Sequence, residues 1–137
     1  MLLTLEKVMI LKSVSIFAST PEELLAQIAL SLEDIFLKSD EMVFKKGDLG
    51  TSMYIIVDGK VKVHDGDTEL AILGERNIFG ELATLDPEPR MASITATEDT
   101  YLFKLEQDAL YDLMSEHNDI SKGIFHVLCD RLRKFKT

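Results

Sequence analysis

A chain of 137 residues, 46% of them apolar and only three of them proline, suffices for one compact domain with its own core and leaves no room for a second. Its net charge of −9, from 24 acidic against 15 basic residues, lacks the concentrated positive surface that a phosphate backbone requires, so direct nucleic-acid binding is disfavoured. The lone Cys129 can make no internal disulfide, which suits a reducing, cytoplasmic setting. No apolar run approaches the roughly 20 residues that span a bilayer, and Met1 to Leu5 lead straight into Glu6-Lys7, so neither membrane insertion nor export is expected.

In chain order, Leu5 to Leu11 predict a brief helix, followed by a turn through Ile16-Phe17. Thr20-Pro21-Glu22-Glu23 supplies a capping hydroxyl, a proline at the first helical position and a glutamate three residues on. Leu24, Leu25, Ile28 and Leu32 mark the apolar face of the helix that follows. From Glu33 the period falls to two: Ile35 and Leu37; Met42 and Phe44; Met53, Ile55 and Val57; Val61 and Val63; then Leu70, Ile72 and Leu73. Lys46 to Gly50, Asp58-Gly59 and Asp65-Gly66-Asp67 carry turn chemistry between these runs. The alternation resumes at Ser93 to Ala96 and Thr100 to Phe103, so about eight short strands predict a sandwich or roll. Helical spacing returns through Leu110, Leu113 and Met114, and again after Asn118-Asp119, where Ile120, Ile124, Val127, Leu128, Arg131 and Phe135 share one face. The basic cluster Arg131-Arg133-Lys134-Lys136 complements the negative end of that last helix dipole.

The chemistry lies where the sheet pattern breaks, from Asn77 to Arg90. Gly80 permits a tight backbone turn, Glu81 to Leu85 can form one or two helical turns, and Asp86-Pro87 stops them. A helix N-terminus of this kind favours an anion, and Arg90, returning from Pro87-Glu88-Pro89, can set a guanidinium beside it. Glu81 would accept hydrogen bonds from hydroxyls. A carboxylate for a diol, with an arginine and bare amides for a phosphate, suits a sugar phosphate. The alternative for Glu81 and Arg90 is a structural ion pair, with Arg90 bonded to Glu81, Asp86 or Glu88 in an empty pocket.

Phe79-Gly80-Glu81-Leu82-Ala83, then Arg90 nine residues after Glu81, then Met91-Ala92-Ser93-Ile94, resembles the phosphate-binding cassette of the cyclic-nucleotide-binding domains. These occur in regulatory subunits of cAMP-dependent kinase, bacterial catabolite activators and gated channels. The similarity extends through Leu11 to Phe17, Phe44 to Asp48, Met53 to Val61 and Asp99 to Leu102, nearly the whole chain. It implies a mainly β fold with flanking α-helices, an eight-stranded double-stranded β-helix or jelly roll. The N-terminal helical segment would occupy 1–32, the roll 33–105 with its cassette at 79–92, and the C-terminal helices 106–137. Residue by residue, the resemblance assigns Glu81 to the ribose 2′-hydroxyl and Arg90 to an equatorial phosphate oxygen. Phe79, Gly80, Leu82, Ala83 and Ala92 would shape the pocket or donate to it, and Met91 would contribute its backbone N–H. Met91 departs from the small residue usual there; it removes a hydroxyl contact, which favours cAMP over cGMP, and its bulk would crowd the site. For the base, the resemblance offers Val63, Ala71, Leu73 and Arg131, against which stands a plainer reading of core packing for Val63 and Leu73 and a solvated helix end for Arg131.

Catalysis is not expected. His64, His117 and His126 are scattered, with no close pair for a metal; Cys129 reads as a packed thiol beside Val127 and Leu128; and no Gly-x-x-x-x-Gly-Lys run is present. The expected function is a sensor module without cofactor whose ligand, cAMP or cGMP, acts through the last helix on an unidentified effector domain or protein, with a homodimer in reach of the helix's exposed face. The competing expectation is an interaction scaffold that keeps the roll and binds no nucleotide.

Overall fold

A computed structural model describes residues 2–80 and 88–135, the side chains of Glu88, Val127, Arg131, Lys134 and Phe135 excepted. The fold is mainly β with flanking helices, and its contacts divide it into two compact units: Leu32–Gln107, and the two flanks Met1–Ser31 and Asp108–Thr137.

The flanking unit is helical, with α1 (Thr4–Lys12), a 3-10 turn (Ser15–Phe17), α2 (Glu22–Ser31), α3 (Gln107–Glu116) and α4 (Asn118–Phe135). Lys12 on α1 bridges to Glu22 on α2 at 2.9 Å. Gly123 lets α4 approach the 3-10 turn closely, because a Cβ there would lie 2.8 Å from the Ile16 carbonyl oxygen. Leu11, Phe17, Leu25, Ile28, Leu110 and Ile120 are fully buried. The α2 start departs from its sequence signature. The Thr20 hydroxyl is buried and has no hydrogen-bond partner among the described residues, while the Leu24 and Leu25 amides in the helix's first turn donate to the Pro21 carbonyl. Cys129 is exposed, which overturns the packed thiol: it lies on the side of α4 opposite Ile120 and Ile124, and they take the burial.

The β unit holds ten strands among the described residues: β1 (Glu33–Leu37), β2 (Met42–Phe44), β3 (Leu49–Gly50), β4 (Ser52–Asp58), β5 (Val61–Asp65), β6 (Thr68–Leu73), β7 (Ile78–Phe79), β8 (Glu88–Pro89), β9 (Ser93–Ala96) and β10 (Thr100–Glu106). Two four-stranded antiparallel sheets, ordered β1-β10-β4-β7 and β2-β9-β5-β6, form the roll, and β3 pairs with β8 beside them. The count exceeds eight because segments that read as loops make two-residue strands: Leu49 and Gly50 pair with Pro89 and Glu88, and Ile78-Phe79 pair with Ile55 and Tyr54. Such pieces are too short to show a period of two.

The roll's core cluster joins Tyr54, Ile56, Val61, Phe79, Ile94 and Leu102, with Phe44, Val63 and Leu73 packed against it. On β4 this is the opposite parity to the Met53, Ile55, Val57 face read from the sequence, and those residues are buried too. A central strand covered on both faces carries no usable alternation. On the edge strand β6, Leu70 and Ile72 are exposed and only Leu73 reaches the core. The β4–β5 turn depends on Gly59 at φ 103, where a Cβ would strike the Thr100 hydroxyl and the Asp99 carbonyl.

Candidate functional site

Arg90 follows the two-residue strand β8, and its backbone is clamped to the β2–β3 turn. Its N–H donates to the Asp48 carbonyl at 2.7 Å, and its carbonyl accepts from Gly47 N–H at 2.9 Å. Pro89 offers no N–H, so these flanking bonds fix the strand's end. The clamp turns the side chain inward, where it is only 8% exposed.

The guanidinium lies over an aromatic ring and is bonded along part of its edge. Nη2 donates to the Ser52 carbonyl at 2.9 Å, and Nη1 makes a longer bond to the Gly80 carbonyl at 3.4 Å. Cζ stands 4.1 Å from the centroid of the Phe44 ring. A Cβ at Gly50 would fall on the guanidinium itself, and one at Gly80 would come within 2.7 Å of Nη1. Gly80 also turns at φ 76, a conformation open to glycine at little cost. Two glycines and two bare carbonyls therefore shape a slot for one arginine.

Among the described residues, no carboxylate lies within 4.0 Å of this cation. Burial pushes its pKa down, opposed by Tyr54, Glu106 and Asp48. Among the described residues, two carbonyls take two of its five N–H donors. A buried guanidinium so placed is matched to an anion with in-plane oxygens.

Of the residues singled out from sequence, the structure brings Phe79, Gly80 and Arg90 to this slot: Phe79 packs its ring 5.9 Å from that of Phe44, and Gly80 supplies a carbonyl. Glu81, Leu82 and Ala83 lie outside the described residues, as does Asp86, and the Glu88 side chain is not described. Met91 follows directly and is 79% exposed, so its side chain points into no closed pocket. Ala92 comes next, half-buried, before β9. Val63 and Ala71 face each other across β5 and β6, and Leu73 pairs with Val61; Val63 and Leu73 are half-buried against the core while Ala71 is exposed. Arg131 is on α4 and its side chain is not described. Phe44, Gly50 and Ser52 escaped notice as site residues, since they read as strand and turn; only their distance-spanning contacts with Arg90 reveal them.

The histidines stand apart. His64 is buried, with Nδ1 2.8 Å from the Gly66 carbonyl and Nε2 2.7 Å from the Thr95 hydroxyl, while the exposed His126 lies 3.5 Å from Asp130. Among the described residues there is no metal-ligating cluster, and no helix is long and apolar enough to cross a membrane.

Comparison with known proteins agrees with this geometry. Residues 34–117, more than half of the chain, match the cyclic nucleotide-binding domain. A CRP-like cAMP-activated global transcriptional regulator of Mycobacterium tuberculosis is 32% identical over 130 residues, covering 91% of this chain and 58% of its own length. The chain thus spans little more than half of that relative. Among solved structures, the N-terminal domain of a transcriptional regulator from Streptomyces coelicolor superposes with a TM-score of 0.82 at 29% identity, covering 93% of this chain and 92% of that one. The regulatory domain of Toxoplasma gondii PKA, solved with cAMP, gives 0.74 at 25% identity, covering 80% and 44%.

Proposed function

The chain belongs to the cyclic nucleotide-binding domain family, and from that premise we propose that it is a sensor module for cAMP in preference to cGMP, with Arg90 as the phosphate anchor. The observation that carries the reading is the buried Arg90 guanidinium, held by two backbone carbonyls with no carboxylate beside it among the described residues. A cyclic phosphate supplies the single negative charge and the paired oxygens that such a cation accepts. Glu81 takes the ribose 2′-hydroxyl, and Gly80, Leu82, Ala83 and the Met91 N–H complete the cassette. Val63 and Leu73, half-buried on the core side of β5 and β6, offer an apolar wall to the base. Met91 offers the ligand no hydroxyl, which supports cAMP over cGMP.

Binding is read out by α4, whose protection across Ser121 to Phe135 changes when the nucleotide enters, and an effector outside this chain receives the signal. Phe125 and Leu132 are exposed on α4 and Leu128 is half-buried, an apolar stripe at helical spacing through which two copies associate. Light scattering after size exclusion measures that association. The family matched is regulatory, and no catalytic step is assigned to the chain.

Isothermal titration of cAMP, cGMP and AMP into the chain and into Arg90→Ala tests the reading. Loss of one charge-assisted contact costs about 1.5–3 kcal/mol, roughly ten- to a hundredfold in affinity. Saturable cAMP binding that falls by this factor supports the anchor. A folded chain that binds none of the three is a β-roll scaffold without a nucleotide.

A further inference from the structure

We infer that Phe44 is a positioning residue for the anion site: its ring orients the Arg90 guanidinium, and it acts on ligand affinity through Arg90. The inference rests on the nucleotide reading above and goes one residue beyond it.

All five N–H donors of a guanidinium lie in its plane. A carbonyl or carboxylate therefore uses up donors, and a carboxylate also cancels the charge that an incoming phosphate needs. An aromatic ring does neither. It attracts the cation through its negative face, from above, and leaves the edge free. Phe44 stands in that place, 4.1 Å from ring centroid to Cζ. The attraction is strengthened where water is excluded, and Arg90 is buried.

The plate is itself fixed. Phe44 packs at 6.0 Å from the Tyr54 ring and 5.9 Å from the Phe79 ring, and those two are stacked at 5.1 Å with 14° between their planes. Tyr54 and Phe79 belong to the core cluster. Gly50 approaches the same guanidinium and has no side chain to displace it. The three rings, Phe44 on β2, Tyr54 on β4 and Phe79 on β7, thus connect the roll's core to the orientation of one charged group, through a phenylalanine 46 positions before it.

The test is cAMP titration, followed by NMR where affinity is weak, of the wild-type chain, Phe44→Leu, Phe44→Tyr, Arg90→Ala and the double variant Phe44→Leu with Arg90→Ala. Phe44→Leu should weaken binding about five- to thirtyfold, the range of a desolvated cation–π contact. Phe44→Tyr, which keeps the ring, should restore it. In the Arg90→Ala background, Phe44→Leu should change nothing further. An equal loss in both backgrounds means that Phe44 merely packs the pocket, and no loss in either means that it does nothing for the ligand; both overturn the inference. If the wild-type chain binds no nucleotide, the functional reading fails by itself, and the Arg90 Nε–H resonance of the free protein decides the role of Phe44. A ring-current displacement upfield of its unfolded-state position supports the plate, an undisplaced resonance refutes it, and neither requires a variant to fold.

Discussion

Replacing Gly50 by alanine tests the slot most directly. Gly50 is not among the glycines at positive φ, so the backbone accepts the substitution and the effect comes from the added methyl alone. That methyl would overlap Arg90 at Nε and Cζ and lie 2.8 Å from Cδ. Overpacking of this kind costs about 1–3 kcal/mol when the neighbours must shift. The neighbour here is the guanidinium, and its escape breaks the 2.9 Å bond to the Ser52 carbonyl and the stacking on Phe44. A hydrogen bond to a charged group contributes about 1.5–3 kcal/mol and a cation–π contact about 0.5–2 kcal/mol, but the displaced cation recovers hydration, so the two costs do not simply add. A net loss of about 2–4 kcal/mol follows, which lowers the melting temperature by roughly 8–15 °C for a chain of this size. Gly74→Ala is the matched control: Gly74 is likewise outside the positive-φ set, and its Cβ would meet nothing within 4 Å. It should be neutral or stabilise by about 0.4–1 kcal/mol. Differential scanning calorimetry of both variants, with cAMP titration, reads the difference. If Gly50→Ala melts with Gly74→Ala and binds as the wild type does, Arg90 does not occupy the slot and the anion site is misplaced.

Three further outcomes follow from particular contacts. Burial alone would lower the pKa of Lys104, but its hydrogen bond to Glu106, with Tyr54, Glu106 and Glu33 nearby, outweighs this and raises it above the ordinary 10.5. A raised cationic pKa contributes stability that is present in full below pH 10.5 and lost as pH climbs through the folded value, so the urea-midpoint gap between wild type and Lys104→Met should shrink above that pH. A gap that persists unchanged into stronger alkali would count against the network. Thr20→Val removes a buried hydroxyl that has no partner among the described residues, and should raise stability by about 1 kcal/mol in denaturant titration; a loss would show that the hydroxyl is satisfied after all. Cys129 is exposed on α4 beside Phe125 and Leu132, so in dilute protein it should react with a thiol reagent as fast as in urea and should become protected as rising concentration drives association through that face; reactivity independent of concentration would count against the association.

The sequence announced the helices and most of the strands because their punctuation is local: Asp58-Gly59 and Asp65-Gly66-Asp67 mark turns within a few residues of the strands they join. It misled where burial is two-sided. On β4, Met53 and Ile55 read as the core face, yet the roll's core is built from Tyr54 and Ile56 on the other side, and both sets are buried. The Thr20 cap shows a signature whose residues are right and whose bond is not made. Arg90 was legible from its spacing after Phe79-Gly80-Glu81, but its surroundings were not. Phe44, Gly50 and Ser52 precede it by 46, 40 and 38 positions, and a strand phenylalanine and a turn glycine carry no local sign that they face a cation.

Those distances have a physical consequence for how the site works. Among the described residues, the groups that hold Arg90 come from β2, the β2–β3 turn, β3, β4 and the residue after β7, so strands of the closed roll distant in sequence help to set the cation's position. Its backbone is bound to Asp48 and Gly47, its Cζ lies over the Phe44 ring and part of its edge is bonded to Ser52 and Gly80, all contacts made by the chain itself. A site whose charged partner is already oriented spends little binding energy on ordering it. The energy of nucleotide binding is then available to whatever else the ligand orders. On this reasoning Arg90→Lys should lose affinity almost as Arg90→Ala does, because an ammonium keeps the charge but can neither stack flat on Phe44 nor bond two carbonyls and a phosphate in one plane. Recovery of wild-type affinity in Arg90→Lys would show that charge alone suffices and that the slot's geometry has no part in recognition.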